Sequence, residues 1–200
     1  MDSHLTPPDL TPEERRAAKL ALRRAALAAR DAVEDRPRRE AAIGAAVADL
    51  IARHFAGAAV AAYSPMRGEV DPMPGLRGHR GPLALPVVVA PRSPLVFREW
   101  QLGEDLDAGS FGTRHPTPLA RELHPRLVLL PLAGFDRLGN RLGYGGGFYD
   151  RTIESLRRRG PVAAVGLAFQ AQEVGPIPVE PTDQPLDGIV TEQGLRRFDR

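Results

Sequence analysis

Along the first quarter of the chain apolar residues recur at helical spacing, and thereafter they collect into short runs separated by proline and glycine. Leu22, Ala26, Ala29 and Val33 follow i, i+4, i+7, i+11 and make one apolar stripe. Thr11-Pro12-Glu13-Glu14 ahead of it offers an N-cap, a proline at the first helical position and a capping-box glutamate, so a helix is predicted from there to about Val33. Residues 1–10 are polar and proline-containing and are expected to form a disordered tail, leaving 11–200 as a single domain. A second helix is predicted over 38–55, with Ile43, Val47, Leu50 and Ile51 on one side and Gly57 near its end. Then come apolar runs of strand length: 58–63, 83–89 and 95–100 joined by a proline turn into a hairpin, 127–130, 162–169 and 189–191. Between the last long runs, 148–159 reads as a helix closed by Gly160-Pro161. Pro72 to Pro82 permits at most a short helix, 101–125 is irregular, and the C-terminus is basic and polar. Strands alternating with helices predict an α/β fold with a mostly parallel sheet that the hairpin makes mixed.

Composition narrows the chemistry. At 200 residues with 42% hydrophobic positions, a core can form without cross-links. There is no cysteine, which removes disulfides, thiolate metal sites and cysteine nucleophiles. No apolar run approaches membrane-spanning length, and we expect a cytoplasmic protein with no membrane partner. The isoelectric point near 9.5 accompanies a net charge of only +2 with acids interspersed, which gives little support to a nucleic-acid partner. Lysine and arginine total 27, and Lys19 is the one lysine. It is either an accident of an arginine-biased chain or a position that needs a compact ammonium. Arg23 lies one helical turn on, so the two cations share a face, either as a solvated basic surface or as a grip for phosphate.

The densest concentration of chemistry is Pro131 to Arg151, PLAGFDRLGNRLGYGGGFYDR. It follows a buried-strand pattern and leads into a helix, and it holds six of the 20 glycines. Glycines allow backbone N–H groups close to a ligand, and a helix N-terminus adds partial positive charge, so a phosphate cradle is indicated. Leu138, Leu142, Tyr144, Phe148 and Tyr149 within it argue against a bare flexible linker, since such residues need somewhere to pack. Neither the Walker A spacing nor the dinucleotide fingerprint is met; Asp150, directly behind the glycines, is a candidate carboxylate for Mg²⁺. Ser64 to Asp71 lies beyond the carboxyl end of the 58–63 strand, where ligands of open α/β sheets collect, and Glu69 there is a candidate acceptor for ligand N–H groups. Trp100 reads as a packing residue, and His115 and His124 lack a third ligand for zinc.

Pro131-x-x-x-Phe135-Asp136-x-x-Gly139-x-Arg141-Leu142-Gly143-Tyr144-Gly145-Gly146-Gly147-Phe148-Tyr149-Asp150-Arg151 closely resembles the signature of the 5-formyltetrahydrofolate cyclo-ligases, also called 5,10-methenyltetrahydrofolate synthetases. The resemblance extends to Lys19-x-x-x-Arg23, to the segment holding Ser64 and Glu69, to Gly166-Leu167-Ala168-Phe169 with Gln172, and to Pro178-Val179-Glu180-x-x-Asp183. It implies a three-layer α/β sandwich of the ribose-5-phosphate isomerase and glucosamine-6-phosphate isomerase type. It also implies ATP- and Mg²⁺-dependent closure of 5-formyltetrahydrofolate to 5,10-methenyltetrahydrofolate, with ADP and phosphate released. Carried over by position, Lys19, Arg23 and Arg141 would hold ATP phosphates, Lys19 and Arg141 as catalytic cations, with Leu142, Gly143, Tyr144, Gly145, Gly146, Gly147, Phe148 and Tyr149 completing the nucleotide site. Asp150 and Asp183 match the Mg²⁺ carboxylates; Ser64, Glu69 and Phe111 match the folate pocket, Phe111 by stacking on the ring. His115 and Thr182 depart from the family pattern, which commonly has Glu and His there. The expected partners are two small molecules, a reduced folate and ATP, acted on by a monomer. The competing expectation is a non-catalytic folate- or nucleotide-binding relative.

Overall fold

The structure is a computed structural model that describes residues 10–109 and 112–198. Helix α1, Pro12–Asp31, starts as its capping box predicts: the Thr11 side chain accepts from the Glu14 N–H, and the Glu14 carboxylate accepts from the Thr11 N–H at 2.8 Å. Helix α2 is Arg36–His54 and α3 is the short Met73–Leu76. Between them runs strand β1, Val60–Ala61; after α3 come β2, Leu83–Val87, and β3, Val96–Trp100, which pair as the expected antiparallel hairpin. The segment expected to be irregular holds a two-residue ladder of β4, Asp107–Ala108, with β5, Arg114–His115, and then β6, Glu122–Leu123, which joins the edge of β3. Strand β7, Leu127–Pro131, is followed by a small antiparallel pair, β8, Gly134–Phe135, and β9, Arg141–Leu142. The chain closes with α4, Phe148–Arg159, β10, Ala163–Leu167, a 3-10 turn at Gln170–Gln172, β11, Gly188–Thr191, and β12, Gly194–Arg197.

Eight strands form the main sheet in the order β12-β11-β10-β7-β1-β2-β3-β6. The five central strands from β11 to β2 run parallel, β12 and β3 run antiparallel on either side of them, and β6 pairs antiparallel with β3 at the far edge. Alternation along β7 sets the layers: Leu127 and Leu129 join Ile43, Val47, Leu50 and Ile51 of α2 in one core, while Val128 and Leu130 join Ile153 of α4 in the other. The mixed three-layer α/β architecture is therefore as expected. Pro86 fits within β2 because β1 pairs only with Leu83 and Ala84, so its missing N–H falls past the end of that ladder.

Three expectations are corrected. Helix α1 ends at Asp31 rather than Val33, and the second helix begins at Arg36 rather than Arg38. The 58–63 run is buried from Val60 to Tyr63 but forms only a two-residue strand. The C-terminus, read only as basic and polar, forms a further strand: Leu195 and Arg196 pair with Val190 and Ile189, and exposed positions alternate with half-buried ones as on a sheet edge. The tail at residues 1–9 lies outside the described residues.

The strand order places the site. From β1 the chain moves outward to β2 and β3, whereas from β7, the other neighbour of β1, it moves the opposite way to β10 and β11. Such a reversal leaves a crevice outside the carboxyl ends of the two strands. The segments leaving β1 and β7 there are the Ser64–Glu69 turn and the glycine-rich stretch.

Candidate active site

The glycine-rich stretch is stiffer than a strand followed by a loop. After β7 it folds into the β8–β9 pair, pinned by Asp136, which is 2% exposed. One Asp136 oxygen accepts from the Leu138 and Asn140 N–H groups, both at 2.9 Å; the other accepts from the Asn140 amide at 2.9 Å and the Ile177 N–H at 3.0 Å. That carboxylate is structural. Leu142 is buried and Phe148 and Tyr149 are partly buried, as their need for packing predicts, but Leu138 is 72% exposed and Tyr144 is exposed. Beyond β9, Gly145 and Gly147 have positive φ, +97° and +62°, and Gly147 is the N-cap of α4 with no side-chain cap. A Cβ on Gly143 or Gly145 would meet nothing within 4 Å, so the loop faces open space. Arg151 reaches back to donate to the Gly146 carbonyl at 2.6 Å and fixes the loop from behind.

Helix α1 packs on this hairpin: Leu22 and Leu27 meet the Ala133, Leu142 and Ile177 cluster. That docking brings the candidate cations to the loop. Arg23 Nε donates to the Gly143 carbonyl at 2.7 Å. Lys19 Nζ bonds Asp183 at 2.7 Å and Glu180 at 3.0 Å, and its side chain is only 15% exposed. Arg141 donates to Asp150 Oδ1 at 2.7 Å and to the Gln184 carbonyl; the Gln184 N–H donates to the same Asp150 oxygen at 3.1 Å. Each candidate Mg²⁺ carboxylate is thus matched to one candidate phosphate cation, and the backbone beside Asp183 touches Asp150. Among the described residues no group of three or more His, Asp or Glu side chains is placed to hold a metal. Two partly exposed carboxylates suit Mg²⁺ nonetheless, because that ion takes one or two carboxylates and completes its shell with phosphate oxygens and water.

On the other wall, Glu69 closes a tight turn. Arg67 and Gly68 both have positive φ, +49° and +78°; the Glu69 N–H donates to the Met66 carbonyl at 2.9 Å, and the Met66 N–H donates to the Glu69 carboxylate at 2.8 Å. Burial pushes the Glu69 carboxyl above the usual carboxylate range, against the opposing pull of the Met66 N–H, the Tyr144 hydroxyl, Arg30 and Arg67. Burial, followed by the nearby Glu69 charge, likewise pushes the Tyr144 and Tyr149 hydroxyls above the ordinary tyrosine range. Tyr63 is raised for the same two reasons, and its hydroxyl donates to the Val70 carbonyl at 2.6 Å. Ser64 lies half-buried at the carboxyl end of β1, and Phe111 lies outside the described residues. Trp100 is 6% exposed and donates Nε1–H to the Glu104 carbonyl at 3.1 Å, a packing residue as expected. His115 pairs through Nδ1 with the Pro116 carbonyl, and Thr182 is exposed.

Three contributors were not picked out from the sequence. Glu180 is the second acid on Lys19. Gln184 joins the Arg141 and Asp150 ends of the site through its backbone. Arg30 is 5% exposed and contacts Tyr144. The signal for Arg30 was present, since Lys19, Arg23, Ala26 and Arg30 follow i, i+4, i+7, i+11 and so share a helix face.

Known proteins resemble the chain in sequence and in fold. A 5-formyltetrahydrofolate cyclo-ligase of Haemophilus influenzae is 47% identical over 100 residues, which cover 48% of this chain and 53% of that protein. The Escherichia coli K12 protein of the same name is 38% identical over 101 residues, 50% of this chain and 51% of that one. The chain thus spans about half the length of these relatives in each match. Among solved structures, a 5,10-methenyltetrahydrofolate synthetase of Aquifex aeolicus superposes with a TM-score of 0.70 at 28% identity, covering 91% of this chain and 93% of that one. One from Mycoplasma pneumoniae gives 0.68 at 22% identity over 87% and 98%, a likeness of fold. The model of the 5-formyltetrahydrofolate cyclo-ligase family matches residues 15–192, from the helix that carries Lys19 to the strand beyond Asp183, and the chain belongs to that family.

Proposed function

We propose that the protein closes 5-formyltetrahydrofolate to 5,10-methenyltetrahydrofolate at the expense of ATP. The observation that carries this reading is the meeting of Lys19 with Asp183, 164 residues apart, beside an open glycine loop to which Arg23 is also bound. A fold has no need to gather two cations, two carboxylates and uncapped backbone N–H groups at a half-exposed crevice, but a triphosphate does.

The formyl oxygen is a poor leaving group. It attacks the γ-phosphorus of ATP, the bond from that phosphorus to the β–γ bridging oxygen breaks, and ADP departs. N10 then attacks the activated formyl carbon and loses its proton, the carbon–oxygen bond breaks, and phosphate leaves with the former formyl oxygen. In this scheme Lys19 and Arg141 turn from their carboxylates toward the γ-phosphoryl group and neutralise the charge spread over its oxygens. Arg23 and the N–H groups of 143–149 hold the remaining phosphates. Asp150 and Asp183, released from those cations, would hold Mg²⁺, which when bound supplies charge neutralisation between the phosphates. Glu69 accepts pterin N–H bonds and orients the second substrate toward the γ-phosphate.

Incubation with 5-formyltetrahydrofolate, ATP and Mg²⁺ tests the proposal. The near-ultraviolet absorbance of the conjugated methenyl product should grow with stoichiometric ADP release. Nucleotide binding without that band would favour the non-catalytic relative.

A further inference from the structure

The two carboxylates assigned to one ion come from distant parts of the chain. Asp150 stands in the first turn of α4, and Asp183 in the segment ahead of β11. Residues 184–187 belong to no helix or strand, and Pro185 has no N–H to offer a ladder. That segment has to be fixed from outside. Asp150 and Arg157 are two turns apart on α4, so their side chains leave the same helix face, roughly 10 Å apart along its axis. The segment lies along that face and is held at both ends of it.

Arg157 grips three successive features of it. Nη1 donates to Gln184 Oε1 at 2.9 Å, and Nη2 donates to the Pro185 carbonyl and to Asp187 Oδ2, both at 3.0 Å. Asp187 is itself anchored to the sheet: Oδ2 accepts from the Ala164 N–H at 2.7 Å, and the Asp187 N–H donates to the Ala164 carbonyl at 2.8 Å. Toward the other end the Gln184 peptide is oriented on both sides, its N–H on Asp150 Oδ1 at 3.1 Å and its carbonyl accepting from Arg141. The residue just before Gln184 is Asp183. The distance between Asp150 and Asp183 is therefore referred to a single rigid helix, at Asp150 directly and at Arg157 through the segment. A planar guanidinium, whose donors are fixed in a fork, suits a grip on several acceptors at once.

We propose that Arg157 is a positioning residue for Mg²⁺, setting the spacing of Asp150 and Asp183 by holding residues 184–187 against α4. This rests on the assignment of those two carboxylates to Mg²⁺ under Proposed function. Arg157 acts through the segment and touches neither nucleotide nor ion. When Arg141 turns to the γ-phosphoryl group, the Gln184 carbonyl gives up that bond just as Asp150 takes the metal, and the three bonds from Arg157 keep the segment in place. Mg²⁺ demands a near-ideal octahedral shell, whereas Ca²⁺ accepts a larger and more flexible one, so loosened spacing penalises Mg²⁺ first.

The test is calorimetric titration of the full chain with the β,γ-methylene analogue of ATP in metal-free buffer, with Mg²⁺, and with Ca²⁺. Arg157→Met, Gln184→Ala, their double variant and Arg158→Met are compared with the parent. Arg157→Met should keep the metal-free affinity within about twofold and lose about tenfold of the tightening that Mg²⁺ brings, the usual cost of removing an outer partner of a metal ligand. Its loss with Ca²⁺ should be smaller. Gln184→Ala, which removes one of the three acceptors, should lose less than Arg157→Met, and the double variant should be no worse than Arg157→Met alone. Arg158→Met, one residue on and paired with Glu154 on the exposed side of the helix, should match the parent throughout. Parental Mg²⁺ tightening in Arg157→Met would overturn the proposal, and so would an equal loss with and without metal, which marks mere support of the fold. Should Arg157→Met not fold, the Mg²⁺ tightening in Gln184→Ala decides alone, and a parental value sinks the idea. A parent that makes methenyl product beside unaffected variants removes this inference only; one that shows the predicted metal pattern without making product removes the catalytic reading only. A parent whose nucleotide binding ignores Mg²⁺ overturns the metal assignment and this inference with it.

Discussion

Replacing Lys19 by alanine separates the catalytic reading from a purely structural one. In the ligand-free arrangement the ammonium bonds Asp183 and Glu180 at 2.7 and 3.0 Å, with the two acids 29% and 48% exposed. A pair this open to water contributes about 1 kcal/mol. For a chain of this length that corresponds to a fall in Tm of about 2–4 °C. A cation that meets the transferring phosphoryl group is worth far more, about 10² to 10³ in kcat. The two roles therefore predict effects of very different size in two assays. Lys19→Ala should melt within a few degrees of the parent yet lose about a hundredfold or more in the rate of methenyl formation. Lys19→Arg should recover little, because a longer planar guanidinium places its charge differently from a compact ammonium. Near-parental turnover in Lys19→Ala would refute the assignment. A collapse of Tm that accounts for the lost rate would show that the ion pair is structural.

Three further outcomes are expected. Asp136→Ala strands four donors in a buried hairpin and should cost about 3 kcal/mol or more in urea unfolding, with Asp136→Asn milder because an amide oxygen still accepts. Gly166→Ala puts a Cβ 2.6 Å from Leu132 Cδ2 and 2.7 Å from Ile189 Cδ1, an overpacking that should destabilise by about 1–3 kcal/mol in the same assay while ADP affinity holds. Glu69 has a folded pKa above its unfolded value, so between the two the native state binds more protons and stability falls as pH rises through that window. Glu69→Gln should abolish that fall and leave the protein more stable at neutral pH but weaker for folate; an unchanged pH–stability profile would count against the buried charge.

Legibility in the sequence followed the physics of each element. Helix α1 was readable because a capping box and an apolar stripe point the same way, and the β2–β3 hairpin because a proline turn divides two β-rich runs. Strand β12 was not, since its alternation is half-buried against exposed and two arginines mask it. Strand β1 read longer than it is because burial at Ala62 and Tyr63 outlasts pairing. At the site, Lys19, Arg23, Arg141, Asp150 and Asp183 could be named through family likeness, but their pairing could not. That Lys19 meets Asp183 depends on α1 docking on the β8–β9 hairpin, a contact with no local signature. Arg30 was overlooked because composition makes one more arginine unremarkable.

The docking of α1 also orders events on the ribosome. The helix that carries Lys19 and Arg23 is made well before its partners: it rests on Ala133, Leu142 and Ile177, and its lysine is paired with Glu180 and Asp183. The candidate nucleotide site therefore cannot exist on a nascent chain until the segment holding Glu180 and Asp183 has emerged. Until then the Lys19 ammonium waits without its carboxylates.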